Sequence, residues 1–174
     1  MKIERKWAMP NSNTFSIQPI SLLISSVFVQ KCLVGGKAVD PFCRNSKFKD
    51  RCVTNDLDEK IEADFHMDAL DFLKTRKDEE FSILLFDPPY SPRQVSECYK
   101  KHGRSVNMET TQASFWSNIK KEIQRISKPN AIAVSCGWNS GGIGEKYGFE
   151  IQEILMVAHG GWHNDTIVTV EKKK

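Results

Sequence analysis

Residues 82–90 read Ser-Ile-Leu-Leu-Phe-Asp-Pro-Pro-Tyr, and this run constrains the fold more than any other stretch of the chain. Four consecutive apolar residues, Ile83 to Phe86, form a strand-length segment with no polar face, as expected of a strand covered on both sides. Two prolines follow at once. They cannot donate to a ladder, and they hold the preceding residue out of the helical region, so the segment must stop at Asp87. A buried strand stopping at Asp-Pro-Pro-Tyr leaves a carboxylate, rigid carbonyls and a phenol at the carboxyl edge of a sheet. In open α/β sheets ligands bind at that edge. A plain strand-ending turn, with Tyr90 packed on the rim, is the alternative for the tetrapeptide taken by itself.

The rest of the chain supplies elements that such a strand can pair and pack with. Residues 1–16 read as polar and irregular. The spacing of Ile20, Leu23, Ile24, Val27 and Phe28 predicts a helix from Pro19, ended by Gly35-Gly36. Short strands are expected at 38–42 and 52–56, with a weaker one at 65–68 and a helix over 69–77. Residues 91–112 read as a polar, basic connection. A helix over 114–127 carries Phe115, Ile119, Ile123 and Ile126 on one face, Pro129-Asn130 breaks it, and 131–136 form a strand. Gly137 to Gly148 read as a mobile, glycine-rich loop. Residues 150–159 and 166–171 read as a hairpin around Gly160-Gly161. This alternation predicts an α/β fold in one domain, 1–174, with a mostly parallel sheet finished by an antiparallel pair.

Asp87-Pro88-Pro89-Tyr90 resembles the catalytic tetrapeptide of the amino-methyltransferases that use S-adenosylmethionine, above all the DNA adenine-N6 enzymes and their small, phage-like members. The resemblance implies a Rossmann-like methyltransferase fold and gives these four residues a catalytic role. The residue types suit the chemistry. An exocyclic amino nitrogen is a poor nucleophile because its lone pair is delocalised into the ring. A carboxylate and a fixed carbonyl can accept its two hydrogens and turn the lone pair outward, and a tyrosine can stack on the base.

Upstream elements match the same family by order. Asp40-Pro41-Phe42 resembles the start of its cofactor loop, although Cys43-Arg44-Asn45-Ser46 stands where glycines are usual; Asn45 is the residue expected to tolerate a left-handed turn. Asp56 stands where such folds place an acid on the ribose hydroxyls, and Asp68 where the family contacts the cofactor adenine. Phe15 and Pro19 resemble a phenylalanine-containing element beside the methionine moiety. The resemblance therefore implies S-adenosyl-L-methionine as cofactor, held by Phe15, Pro19, Asp40, Pro41, Phe42, Asn45, Asp56 and Asp68. By composition and position alone, strand-end acids are equally ordinary surface groups.

For the substrate, Arg93, Lys100, Lys101 and Arg104 directly follow the catalytic turn, where they can meet phosphates, and Trp138 is a candidate stacking ring; a solvated loop and a core tryptophan are the alternatives. The net charge of +3 is compatible with a DNA partner without demanding one. Five cysteines stand singly with no metal-type spacing, so reduced thiols, a cytoplasmic location and no metal site are expected. No run is long and apolar enough for a membrane span, and none is long enough for a separate target-recognition domain. A homodimer or a separate recognition subunit is the expected way to supply specificity. The leading expectation is methylation of adenine N6 in DNA. The alternatives are methylation of guanine N2 in ribosomal RNA and a non-catalytic, methyltransferase-like binding module.

Overall fold

The computed structural model describes residues 1–32, 36–103 and 113–174. Seven strands form one sheet: β1 (Lys2–Trp7), β2 (Ala38–Asp40), β3 (Val53–Thr54), β4 (Phe81–Phe86), β5 (Ser127–Gly137), β6 (Phe149–Ala158) and β7 (Thr166–Lys173), in the spatial order β1-β6-β7-β5-β4-β2-β3. The pairs β1–β6, β2–β3, β2–β4 and β4–β5 are parallel, whereas β7 runs antiparallel to both β5 and β6. This is the Rossmann-like methyltransferase fold, a mostly parallel sheet ending in an antiparallel hairpin.

Two layers of side chains explain why β4 is apolar throughout. Ile83 and Leu85 face α1 (Gln18–Cys32), packing with Ile20, Ile24, Val27 and Phe28. Leu84 and Phe86 face the opposite way, toward Phe72 and Leu73 of α2 (Ala69–Lys74) and Ile119, Ile123 and Ile126 of α4 (Ala113–Ile126). Burying one such side chain stabilises the fold by about 1.5–3 kcal/mol, so the central strand needs both layers. Within the second layer, Arg125 of α4 ties down the end of α2, donating to the Leu73 and Arg76 carbonyls and pairing with Asp78 and Glu122.

Four local expectations are corrected. Residues 2–7 are a strand, not an irregular tail; β1 adds to the edge of β6 in register, Lys2 opposite Glu153 and Trp7 opposite Ala158. Residues 92–101 are a helix, α3 (Pro92–Lys101), started by Ser91, whose hydroxyl accepts from Gln94 N–H at 3.2 Å, with proline in the first turn. The third strand shrinks to one bridge between Asn55 and Phe65. Its neighbourhood is built instead by side chains, with Asp64 accepting from both the amide and the hydroxyl of Thr54. Finally, β5 begins at Ser127 and carries Pro129-Asn130 in an irregular stretch, its partners on β4 jumping from Phe81 opposite Ser127 to Ile83 opposite Ile132, with Asn130 at φ +63°. Of the glycine pair expected to end α1, Gly35 lies outside the described residues.

The loop after β5 is anchored rather than loose. Glu171 of β7, wholly buried, accepts from Ile143 N–H at 2.7 Å and Gly144 N–H at 2.8 Å. Gly142, at φ +45°, wraps the same carboxylate, and a Cβ there would lie 2.2 Å from Oε2. Only glycine fits both the backbone and the space.

Candidate active site

From β2 the chain moves outward to β3, then crosses back over β2 to β4. The strand order therefore reverses between β2 and β4, and the crevice at their carboxyl ends is where such sheets take ligands. Asp40-Pro41-Phe42 leaves one side of that crevice and Asp87-Pro88-Pro89-Tyr90 the other.

The Asp87–Tyr90 turn is held tightly. Tyr90 Oη donates to Asp87 Oδ1 at 2.5 Å, and the Thr14 hydroxyl lies beside both groups. Burial pushes the Asp87 carboxyl above its ordinary range, and these two hydroxyls partly offset it. Burial and the neighbouring carboxylate push Tyr90 upward as well, so its phenol stays a donor. Tyr90 N–H donates to Gln94 Oε1 at 2.6 Å, which ties the turn to the start of α3. The Tyr90 ring meets Trp138 edge-on, centroids 5.7 Å apart, and the Phe86 ring beneath is flanked by Phe42 and Trp116.

Beside the turn lies a cavity of about 680 Å³, within the range of small-molecule sites. Its walls include Pro41, Phe42, Asn45, Asp56 and Asp68 of the residues expected to hold a cofactor, and all four residues of the Asp87–Tyr90 turn. Arg44, at φ +42°, carries the tight turn, not Asn45. The Arg44 N–H donates to Asp56 Oδ2 at 2.8 Å, and Asp58 N–H donates to Asp56 Oδ1 at 2.9 Å. Asp56 thus holds a loop that has no glycine while still facing the cavity. Asp68 caps α2 through Oδ1, accepting from Leu70 N–H at 2.9 Å, and takes the Tyr99 hydroxyl on Oδ2.

Other members of the set lie elsewhere. Phe15 is buried in the α1-side core and Pro19 sits in the first turn of α1; neither is among the described residues lining the cavity. Asp40 lies beneath the floor, wholly buried. Its Oδ1 accepts from Phe42 N–H at 3.2 Å and its Oδ2 has no partner among the described residues. Burial, with Asp87 and Asp56 nearby, pushes its carboxyl up to about 8, so it is protonated at neutral pH. Among the basic candidates, Lys101 lines the cavity and pairs with Asp58 at 3.4 Å. Arg93 pairs with Glu97 at 2.8 Å and is not among the described residues lining the cavity, Lys100 is exposed, and Arg104 lies outside the described residues. Trp138 is 43% exposed, at the rim rather than in the core.

Asn55, Thr14 and Tyr99 complete the walls and were not singled out by the sequence. Asn55 is buried with every bond made: Nδ2 donates to the Pro41 and Met67 carbonyls, and Oδ1 accepts from Met67 N–H. It clamps the two loops that form the cavity floor. An Asn directly before the strand-end acid was the available signal. Among the described residues no group of three or more His, Cys, Asp or Glu side chains is arranged to hold a metal ion.

No protein-family model and no curated protein matches the chain. Solved structures do match in fold. TrmN from Thermus thermophilus shares 14% identity over 88% of this chain and 48% of its own, with a TM-score of 0.57, so the chain spans about half of its length. A SAM-dependent methyltransferase from Archaeoglobus fulgidus shares 11% identity over 87% and 94% of the two chains, with a TM-score of 0.56. The 1,6-didemethyltoxoflavin-N1-methyltransferase of Burkholderia thailandensis, solved with S-adenosylhomocysteine, shares 9% over 86% and 77%, also at 0.56. At such identities the likeness establishes the fold, and function has to be argued from the site.

Proposed function

We propose that the chain is a methyltransferase that uses S-adenosylmethionine to methylate the N6 amino group of adenine in DNA. One observation carries the reading: a half-buried Asp87, held by the Tyr90 hydroxyl, lines with Pro88 a cavity on the strand-order reversal. A carboxylate restrained by the Tyr90 hydroxyl and a backbone carbonyl held in a proline turn suit a planar amino group that offers two hydrogens.

The residues present fit the cofactor. Asp56 faces the cavity at the end of β3 with lone pairs left for sugar hydroxyls, and Asp68 does so for a purine amino group; Phe42, Ile61 and Met67 supply apolar walls for a flat base. The carboxylates also favour a cationic ligand. S-adenosylmethionine, when bound, supplies an electrophilic methyl group on a positively charged sulfur. The chain's own part is orientation. Asp87 and the Pro88 carbonyl take the amino hydrogens, which lowers the cost of drawing the lone pair out of conjugation. Tyr90 and Trp138 offer ring faces and edges to the base, and the surplus proton of the nitrogen passes to water.

Titration calorimetry with S-adenosylmethionine and transfer of a labelled methyl group to adenine-containing DNA test the reading. Asp87→Ala should bind the cofactor as the wild type does while transfer falls by about a hundred- to a thousandfold. Transfer at the wild-type rate in that variant would remove the turn as the active site. Wild-type protein that binds neither cofactor nor its demethylated product would support the binding-module alternative.

A further inference from the structure

α3 is attached to the molecule differently from the other helices. Its one buried side chain, Val95, belongs to neither of the apolar layers on the sheet. What holds the helix is polar and sits at its two ends. The first turn is rooted beside β4, where Ser91 caps it and Gln94 Oε1 takes the Tyr90 N–H at 2.6 Å. The last turn reaches the segment that follows β3. There the Tyr99 hydroxyl donates to Asp68 Oδ2, and Lys101 Nζ and His102 Nε2 stand 3.4 and 3.8 Å from Asp58 Oδ2. β2 lies between β4 and β3 in the sheet. The ten residues of α3 measure about 15 Å and two strand spacings about 10 Å, so the helix bridges over the carboxyl end of β2.

That bridge closes the cavity. Gln94, Val95, Cys98 and Lys101 follow one another at helical spacing and all line it, so one face of α3 is its cover. The groups that hold the far end down are themselves cavity walls: Asp58 and Asp68 both line it. Asp68 Oδ1 is already engaged with Leu70 N–H, so the Tyr99 hydroxyl and a ligand's amino hydrogen meet at Oδ2. The Lys101–Asp58 pair is solvent-exposed on the lysine side and adds little holding force. A helix with one buried apolar side chain, tied at its far end by a few polar contacts, is the kind of segment that opens at low cost.

We propose that α3 is a strap that closes the cavity and lifts to admit the ligand, with the Tyr99–Asp68 hydrogen bond as the latch that the ligand displaces. The displacement rests on the proposed function, in which Asp68 takes a purine amino group; the latch itself rests on contacts within the chain. Ligand and strap compete for one carboxylate oxygen, so occupation of the cavity and release of the far end of α3 are the same event. The end rooted at Gln94 and Tyr90 stays in place, and the helix swings about the Asp87–Tyr90 turn.

Cys98 reports the position of the strap, because its thiol lies on the cavity face of α3, half-buried while the helix is down. Alkylation by iodoacetamide, read by peptide mass spectrometry, measures its protection and leaves Cys136, buried in the core, as the control for an intact fold. Tyr99→Phe keeps the ring and removes only the hydroxyl. It should speed alkylation of Cys98 by about tenfold with Cys136 unchanged, the effect of losing one hydrogen bond to an ionised partner. Calorimetry should find S-adenosylmethionine bound about tenfold more tightly by the variant, since no hydroxyl has to be displaced. Equal Cys98 rates in the two proteins would overturn the proposal. So would a cofactor affinity that is unchanged or weaker in Tyr99→Phe, because the hydroxyl would then keep its place or touch the ligand. Faster alkylation of Cys98 in the variant, with no S-adenosylmethionine bound by either protein, would support the latch and sink the cofactor reading alone.

Discussion

Asp40 makes the sharpest stability prediction. Its carboxyl titrates near 3.8 in the ordinary case and at about 8 in the folded protein, because it is buried, with Oδ2 unpartnered and two further carboxylates nearby. The folded state therefore holds its proton more tightly than the unfolded chain does. That contribution is fully present below pH 4 and is lost as pH rises toward 8, with stability falling by about 1.4 kcal/mol per pH unit in the window. Asp40→Asn has nearly the same shape, keeps an acceptor for Phe42 N–H and cannot ionise. Between pH 5 and pH 8 the wild type should lose about 4 kcal/mol relative to the variant, a large part of a typical domain's 5–15 kcal/mol. Urea denaturation of both proteins at pH 5, 6, 7 and 8 reads this directly, and comparing the two proteins cancels titrations they share. The variant should be close to the wild type at pH 5 and clearly the more stable at pH 8. Parallel profiles across the series would show that Asp40 is ionised in the fold, and the reasoning from burial would be wrong.

Three further outcomes follow from the same geometry. Glu171→Ala leaves the Ile143 and Gly144 amides buried without an acceptor, at about 1–3 kcal/mol each, and should lower the urea midpoint with a matching change in the fluorescence of Trp138. Asn55→Asp turns a donor that faces two carbonyls into an acceptor, and should destabilise by about 3 kcal/mol or more in calorimetry, well beyond an exposed Asn-to-Asp change. Arg44→Gly relieves a left-handed backbone while keeping the amide on Asp56, and should be neutral or stabilising by at most about 1 kcal/mol; a clear loss would mean that the Arg44 side chain contributes to the fold.

Elements that bury a continuous run were legible in the sequence. β4 and β5 show as short apolar segments because each is covered on both faces, and α4 shows through Ile119, Ile123 and Ile126. β1 has no such pattern. Its Lys-Ile-Glu-Arg-Lys-Trp run lies in solvent on both sides, and only backbone bonds to a strand 150 residues away make it a strand. α3 buries Val95 alone, so periodicity was silent, but Ser91-Pro92 was a readable start signal. The Asp87–Tyr90 turn and the cavity acid Asp56 could be placed because they follow strand ends. Asp40 could not be separated from Asp56 by sequence: both end strands, and only the packing of β2 between β3 and β4 puts one under the floor and the other in its wall.

The pairing of β1 with β6 also sets a timetable. Glu153 is 151 residues from Lys2, and His159 the same distance from Ala8. At 5–20 residues per second, a ribosome needs about 8–30 s to deliver β6 after β1 has emerged. For that interval Lys2–Trp7 has no strand to pair with, and β6 itself reaches the sheet only through β7, made later still. Thr14 follows the strand that arrives last, and its hydroxyl lies beside Asp87. The nascent chain can thus settle its central strands early while Asp87 acquires its full set of neighbours only when the final strand docks.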